Sequence, residues 1–534
     1  MAAMNDFSTE FLRDVARGVS TRRLSQQAVP QARWQTPDAI VASRELAYDA
    51  TSPGSKIMVG AIGGRLIGIA DNRHILTVAG SRTGKSVTLI GNLLHYRGSV
   101  LALDPKGELA SLTASRRAAL GQKVHILDPF GIAPNHLAAF RKGFNPLSIL
   151  TLDSDTIIED AGLIADALVI TGGKDPHWDE SAMNFIEGIV LHVATDPTYE
   201  GQRTLIAVQA IIRDALIPAN SEDPDSPFRH ELAMLRNAAR LERNEASADI
   251  ANAIEGAARD FYEKPANERA SVLSSVRRHT KFLNYRAMRR VLSRHDFDLR
   301  DLKRASEGLT VYLCLPANRM GRCSRWLRVF INLLLEAMER EETEPPVPVL
   351  VCLDEFPVLG HMRQLEDAAG QIASFGVKLW VFLQDWGQGV ALYKERWETF
   401  AGNAGILQFF GNNDLKTMEY VSKRLGKTAV AVTREGEVSA EQRSAGLSGK
   451  TESVELYELL TPDEVSRQFS RDDRLKRQLV IWAGYHPMIL QRVEYFDKSS
   501  PVSRHFDGLY GDAGVTPAAA RGAAAFPSAE GNAR

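Results

Sequence analysis

The chain has 534 residues, which is long enough for two or three domains rather than one. Its 44% hydrophobic and 24% charged residues are ordinary for a folded globular protein. The formal net charge of -2 excludes a basic field over the whole surface. Any nucleic acid would therefore be bound by a local patch, or by loops that converge in an oligomer.

No apolar run in the sequence reaches the roughly 18 residues that span a bilayer. The three cysteines, Cys314, Cys323 and Cys352, lack the spacing of metal ligands. So few cysteines make a disulfide framework improbable and indicate a reducing compartment. These features predict a cytoplasmic protein.

Short apolar runs alternate with helical patterns through much of the chain. Such near-continuous runs of Val, Ile and Leu are typical of strands buried on both faces of a parallel sheet. The runs are HILTVAG, SVLALD, KVHILDP, LTVYLCLP, VPVLVCLDE and VKLWVFLQD. With helices between them, they predict an α/β fold with a mostly parallel central sheet.

Helical periodicity replaces the strand signal from about residue 175 to 300, which predicts an all-α domain inserted into the sheet. The last stretch is rich in Ala, Gly, Ser and Pro, which predicts a disordered tail. The predicted division is an N-terminal segment 1–54, a first half of the sheet domain 55–174, the insertion 175–300, a second half 301–498 and a tail 499–534.

The first apolar run leads into a polar turn and then a helical pattern. The turn approximates the phosphate-loop pattern G-x-x-x-x-G-K-[ST], with alanine in the first glycine position. Its residues are Ala79, Gly80, Ser81, Arg82, Thr83, Gly84, Lys85 and Ser86. Backbone N–H groups of such a loop cradle phosphate oxygens, the lysine contacts the β and γ phosphates, and the serine hydroxyl binds Mg²⁺.

A phosphate loop requires acidic side chains at the end of another buried strand. The run PVPVLVCLDEF ends in Asp354 and Glu355, which we expect at the carboxyl edge of the sheet. Asp354 is the predicted Mg²⁺ partner, and Glu355 is the predicted general base for water. Gln384 ends the run VKLWVFLQD and is predicted to sense the γ-phosphate or position water.

Taken together, these segments resemble the type IV secretion coupling proteins, the TraG-like conjugative DNA-transfer ATPases. The resemblance extends from about residue 59 to 497 and depends on the order and spacing of its segments. These are GRLIGIADNRHILTVAGSRTGKSV, LALDPKGEL, FNPL, DPHWDESAMNF, SVLSSVRRHTKFL, FDLRDL, VLVCLDEFPVLG, FGVKLWVFLQD and LLTPDEV.

The resemblance implies a RecA-like P-loop NTPase, interrupted by an all-α domain, that hydrolyses ATP with Mg²⁺. It also implies a homo-hexameric ring that delivers DNA with its relaxase, or effector proteins, to a type IV secretion channel. Members usually begin with transmembrane helices, and this sequence shows none. We therefore expect a cytoplasmic variant that is either held peripherally at the inner membrane by a partner or works away from the membrane.

A second departure concerns the arginine finger. Some relatives carry an arginine in the stretch before the strand that ends at Gln384, and AAGQIASFGVKL has none. Arg424 is the candidate substitute. Lys106 and Glu108, in the segment DPKGE, are expected either near the nucleotide or lumen, or as solvated charges in a turn.

A local basic stretch is the one feature of composition that favours nucleic acid. From Arg269 to Arg304 there are eleven Lys or Arg residues and three Asp. A solvated face is the alternative explanation. Two functions besides the DNA-transfer motor stay open: a soluble translocase of the FtsK or HerA type, and a nucleotide-gated adaptor that binds cargo and hydrolyses ATP slowly.

Overall fold

The computed structural model describes residues 31–170, 176–223, 226–435 and 450–511. Helices separate the successive strands from β3 to β10, with a long helical stretch between β5 and β6, whereas β1, β2 and β3 follow one another without a helix, as do β12 and β13. The strands are β1 Ile57–Ile62, β2 Arg65–Ile69, β3 His74–Ala79, β4 Val100–Asp104, β5 Lys123–Leu127, β6 Leu309–Cys314, β7 Val349–Leu353, β8 Val377–Leu383, β9 Ala404–Phe410, β10 Lys427–Glu435, β11 Lys450–Glu458, β12 Arg477–Trp482 and β13 Met488–Gln491.

An 11-stranded sheet forms the centre of the molecule, in the order β2-β1-β13-β12-β9-β3-β8-β7-β4-β6-β5. The six pairs from β9 to β5 are parallel, and the four pairs from β9 through β12 to β2 are antiparallel. The α/β fold with a mostly parallel sheet is therefore confirmed. Strands β10 and β11 form a separate two-stranded ribbon.

The parallel strands are buried on both faces, as their unbroken apolar runs require. In β4, Leu101 and Leu103 belong to the core on one face, whereas Val100 and Ala102 belong to the core on the other. Side chains alternate across a strand, so one apolar run supplies both cores.

Helices cover both faces of the sheet. They are α1 Pro37–Ala42, α2 Lys85–Leu93, α3 Glu108–Ala119, α4 Ile157–Leu168, α5 Pro176–Thr195, α6 Leu205–Asp214, α7 Arg229–Leu241, α8 Ala248–Tyr262, α9 Ala266–Thr280, α10 Arg286–Leu292, α11 Asp301–Arg304, α12 Ala317–Arg340, α13 Arg363–Gln371, α14 Trp386–Tyr393, α15 Arg396–Gly402, α16 Leu415–Leu425 and α17 Pro462–Gln468.

The helical stretch predicted as an insertion is continuous with the core of the sheet. Phe185 of α5, Ile254 of α8 and Val276 of α9 lie in the same buried cluster as Leu101 and Leu103 of β4. Packing of this kind fixes the helices against one face of the sheet. The boundaries at residues 175 and 300 stay a prediction.

The packed part of the chain extends further than the predicted start of the tail at residue 499. Residues Ser503–Phe506 form a 3₁₀ turn, and Phe506 is fully buried with its ring centroid 5.1 Å from that of His95. The prediction of disorder is thus wrong for 499–511, because one aromatic side chain anchors this segment. Residues 512–534 lie outside the described residues, as do residues 1–30 of the N-terminal segment.

Among the residues that the structure describes, no helix has both the length and the apolar character that a membrane crossing requires.

Candidate nucleotide-binding site

The loop between β3 and α2 has the backbone of a phosphate cradle. Gly84 lies in the left-handed region at φ 97° and immediately precedes α2, while Arg82 has a φ of 59°. Ala79 is the last residue of β3 and is fully buried in the sheet. Ala79 is not among the described residues with positive φ, which explains why alanine serves where the pattern has glycine.

Lys85 begins α2, and its Nζ donates a hydrogen bond to the carbonyl oxygen of Ala79 at 2.8 Å. The ammonium group therefore lies over the concave side of the loop, where the N-terminus of α2 adds a positive partial charge. Burial lowers the pKa of Lys85, and the Glu355 and Asp354 carboxylates oppose that shift. An anion bound in the loop would likewise favour the charged form of Lys85 and raise its pKa.

Two segments far along the chain, after β9 and after β13, pack against the loop. A Cβ added to Gly80 would lie 2.1 Å from the carbonyl oxygen of Gly411, which follows β9. Arg492, just after β13, donates from Nη1 to the Thr83 carbonyl at 2.6 Å, and its guanidinium carbon lies 5.3 Å from the Phe410 ring centroid. Sequence reasoning missed Gly411 and Arg492, because neither belongs to a local motif.

The strand β7 delivers Asp354 to the loop. Ser86 Oγ donates to Asp354 Oδ2 at 3.3 Å, although the two residues are 268 positions apart. Asp354 is buried at 7% exposure. A serine hydroxyl beside a buried carboxylate is an all-oxygen donor set of the kind that Mg²⁺ prefers, so these residues fit the predicted cation.

Burial raises the pKa of Asp354 to about 6, and the neighbouring Glu355 carboxylate adds to that rise. Lys85 and Ser86 oppose it. Burial also raises the pKa of Asp104 to about 6, with a contribution from Asp354. Asp104 ends β4 and accepts a hydrogen bond from the Ala110 backbone N–H at 2.8 Å. Sequence reasoning missed this second buried acid.

Glu355 occupies a strained backbone position. Its φ is 62°, in the left-handed region that non-glycine residues rarely adopt, and it immediately precedes the 3₁₀ turn Phe356–Leu359. Strain of this kind costs about 1–3 kcal/mol and is concentrated at functional sites. The turn directs a half-buried carboxylate out of the strand end, beside Lys85.

Gln384 lies at the same edge of the sheet as the loop. Val78 of β3 pairs with Leu383 of β8, so the residues that follow each strand are neighbours. The Gln384 backbone N–H donates to Gln388 Oε1 at 2.9 Å. The next residue, Asp385, caps α14 and is close enough to Lys85 to raise its pKa, a contribution that the sequence did not indicate.

The remaining candidate residues differ in their distance from the phosphate loop. Lys106 is exposed and acts electrostatically on Lys85 and Asp354, which places it beside the loop. The Glu108 carboxylate instead contributes to the raised pKa of Tyr495. Arg424 is exposed on α16, and no contact within the described residues joins it to Lys85. A role for Arg424 stays a prediction.

A phosphate loop, a buried Mg²⁺-type carboxylate and a strained glutamate, all at the carboxyl edge of a parallel sheet, define a P-loop nucleotide-binding protein. The chain matches the family model described as "Type IV secretory system Conjugative DNA transfer" over residues 38–513. It belongs to that family.

The relatives include the conjugal transfer protein TraG of Escherichia coli, at 27% identity over 74% of this chain and 61% of TraG. The type IV secretion system-coupling protein VirD4 of Bartonella quintana is 25% identical over 80% of this chain and 64% of VirD4. The chain thus spans a little over three fifths of the length of these relatives.

Solved structures of the plasmid coupling protein TrwB share the fold. The unbound form has a TM-score of 0.57 at 15% identity, over 88% of this chain and 95% of TrwB. The form "in complex with ADP and Mg2+" has a TM-score of 0.55 at 16% identity, over 88% of this chain and 96% of TrwB. The predicted family and fold are confirmed.

Proposed function

We propose that this protein is an ATP-hydrolysing coupling protein that moves DNA, with an attached relaxase or an effector protein, to a type IV secretion channel. The observation that carries the proposal is the convergence of Lys85, Ser86, Asp354 and Glu355 at one edge of the sheet, in a chain of this family. TrwB, which has the same fold, has been solved with ADP and Mg²⁺.

Each residue has a distinct part in hydrolysis. The N–H groups at the start of α2 hold phosphate oxygens, and Lys85 leaves the Ala79 carbonyl to contact the β and γ phosphates. Ser86 and Asp354 would hold Mg²⁺, which neutralises charge on the phosphates when it is bound.

Glu355 accepts the proton of the attacking water, since its carboxylate is already presented at the strand end. Gln384 orients that water from the neighbouring strand. The cation that stabilises the transferring phosphoryl group comes from an adjacent subunit, for which Arg424 is our candidate. We propose that six copies form the ring that brings these groups together.

Relaxase or effector recognition is assigned to the exposed faces of the helical stretch 175–300. This stretch contributes to the core of the sheet, so excision would expose Phe185 and Val276. Clustered alanine substitutions on the exposed faces of α7 and α8 are the better test. Loss of relaxase pull-down with retained ATP binding supports the assignment, and retained pull-down contradicts it.

We place the protein at the cytoplasmic side of the inner membrane, held there by channel components.

The test is ATP turnover with and without DNA, alongside the molar mass from light scattering. A motor should assemble with ATP and DNA, and its turnover per subunit should rise with protein concentration and with DNA. The alternative, a nucleotide-gated adaptor, requires slow turnover that DNA does not change. Monomers with DNA-independent turnover at every concentration would contradict the motor and support the adaptor.

A further inference from the structure

We infer that a continuous row of arginines beside the nucleotide edge binds the phosphate backbone of DNA. We call this row the arginine ridge: Arg319, Arg322 and Arg325 of α12, Arg290 of α10 and Arg278 of α9. The inference rests on the proposed function and names the surface through which the motor contacts its DNA. Three separate helices contribute to the ridge, and α12 lies outside the basic stretch from Arg269 to Arg304. That stretch therefore supplies only part of the ridge.

One end of the ridge lies beside Phe130, which follows the carboxyl end of β5. The guanidinium carbon of Arg319 lies 6.0 Å from the Phe130 ring centroid. Arg290 donates from Nη2 to the carbonyl oxygen of the preceding residue, Pro129, at 3.1 Å. Arg290 and Arg319 therefore contact two adjacent residues, Pro129 and the half-buried Phe130, although they lie in different helices.

The other end is held by the helical stretch. Arg325 donates from Nη2 to His279 Nδ1 at 3.1 Å and from Nε to the Leu168 carbonyl at 3.0 Å. Because a guanidinium only donates, His279 carries its proton on Nε2 and donates to the buried Asp179 at 3.1 Å. Arg278 Nη2 contacts the same Asp179 oxygen at 3.0 Å, and its side chain is 63% exposed.

Arg319, Arg322 and Arg325 connect the two ends. They are spaced three residues apart on one helix, so they follow one side of it with steps of about 4.5 Å along the axis. Arg319 and Arg322 are exposed, whereas Arg325 is half-buried. Arg286 and Arg289, also exposed, extend the positive surface along α10.

Two buried carboxylates, Asp128 and Asp179, lie near this surface, and among the described residues only Asp179 forms an ion pair with a ridge arginine, Arg278. The Asp128 side chain is completely buried and accepts hydrogen bonds from the backbone N–H groups of Ile132 and Ala133. Asp179 is shared between Arg278 and His279, as described above. Within the described residues, Arg319 and Arg322 have no ion pair with a carboxylate, so their charges face solvent.

The geometry suits a DNA strand for two reasons. A row of cations, of which Arg319 and Arg322 have no carboxylate partner among the described residues, matches a row of phosphates, whose counterions are released on binding. The half-buried Phe130 ring beside the Arg319 guanidinium adds a stacking surface, as in proteins that bind single strands. The ridge also starts at the carboxyl ends of β5 and β6, the same edge of the sheet that holds Lys85 and Asp354.

The experiment compares DNA binding by the full chain, the double variant R319Q/R322Q and the double variant R319K/R322K. Fluorescence anisotropy with a labelled 30-nucleotide single strand, and with its duplex, is measured from low to high salt. R44Q/R65Q is the matched control, since it removes two exposed arginines near β2, at the opposite edge of the sheet from β5. Thermal unfolding of each variant checks the fold.

We expect R319Q/R322Q to bind about tenfold or more weakly, with a salt slope reduced by about one to two. R319K/R322K and R44Q/R65Q should stay within about threefold of the unmodified protein. Equal binding by R319Q/R322Q and R44Q/R65Q would overturn the ridge while leaving the motor intact. An unmodified chain that binds no DNA would instead contradict the proposed function. Polyglutamate that competes better than DNA would identify an acidic protein as the partner and overturn the inference.

Discussion

Ser86 Oγ and Asp354 Oδ2 lie 3.3 Å apart, and this contact joins the start of α2 to the end of β7. Strand β7 is separated from β3 in the sheet by β8. The contact therefore depends on the registers of two successive strand pairs. It brings the hydroxyl and the carboxylate that would share a cation to one point, beside the lysine that would contact the phosphates.

The first prediction separates binding from hydrolysis. Lys85→Ala removes the charge-assisted contact to the phosphates and should weaken ATP binding about ten- to hundredfold. Glu355→Gln preserves the shape of the side chain and should retain binding while turnover falls about 10²- to 10⁴-fold. Nucleotide affinity and phosphate release are measured for both. Equal loss of affinity in the two variants would show that the roles are wrongly assigned.

The second prediction concerns stability and pH at Asp354. Its folded pKa of about 6 is above the ordinary value of 3.8, so the folded state holds a proton that the unfolded state releases between those values. Stability should therefore fall as the pH rises from about 4 to 6. Asp354→Asn removes this penalty.

At pH 7.5, without nucleotide, Asp354→Asn should raise the free energy of unfolding by about 1–2 kcal/mol. At pH 4 the same substitution should change it little. Chemical denaturation at both pH values provides the measurement, and loss of Mg²⁺-dependent ATP binding should accompany the gain. A variant that is less stable at pH 7.5 would contradict the conclusion that burial of the charged Asp354 carboxylate destabilises the fold.

The third prediction tests the support beneath the loop. Gly411 has a φ of 65°, and a Cβ there would lie 2.2 Å from Thr83 Cγ2. Gly411→Ala should therefore displace Thr83 and weaken ATP binding about tenfold. The control is Gly256→Ala in α8, where an added Cβ meets nothing within 4 Å. That change should leave affinity unaltered and stabilise the helix by about 0.5–1 kcal/mol. Unchanged affinity in both variants would mean that the loop does not need Gly411.

The fourth prediction concerns the turn that presents Glu355. Arg328 is 4% exposed and donates from Nη1 to the carbonyl oxygens of Leu359 and His361, at 2.9 and 2.6 Å. Its Nε donates to the Ala167 carbonyl at 3.0 Å, which ties the turn to the end of α4. A lysine has no planar fork and cannot satisfy all three acceptors.

Arg328→Lys should therefore lower kcat for ATP about tenfold and change KM less than about twofold, because it shifts the catalytic carboxylate rather than the loop. Arg340→Lys is the control on the same helix, where the partly exposed arginine pairs with Asp160 and Glu336. Steady-state kinetics of ATP hydrolysis give kcat and KM for both variants. A rise in KM at constant kcat would assign Arg328 to nucleotide binding instead.

The sequence by itself determined the features that are local. Apolar runs with unbroken Val, Ile and Leu identified the buried strands β3 to β8, because a strand buried on both faces needs apolar residues at every position. The phosphate loop and the acidic pair after β7 were predicted for the same reason, since each lies within a few consecutive residues. The order of these motifs also pointed to the family to which the chain belongs.

Only the tertiary structure decided which distant residues complete the site. Gly411 and Arg492 support the loop because β9 and the end of β13 lie on its side of the sheet, an arrangement set by strand pairing rather than by local pattern. The packed segment up to residue 511 escaped prediction because its composition is that of a tail, and the burial of Phe506 outweighs that composition. The arginine ridge likewise exists only because α9, α10 and α12 pack together, since a contact between side chains far apart in sequence leaves no periodic signal in the chain.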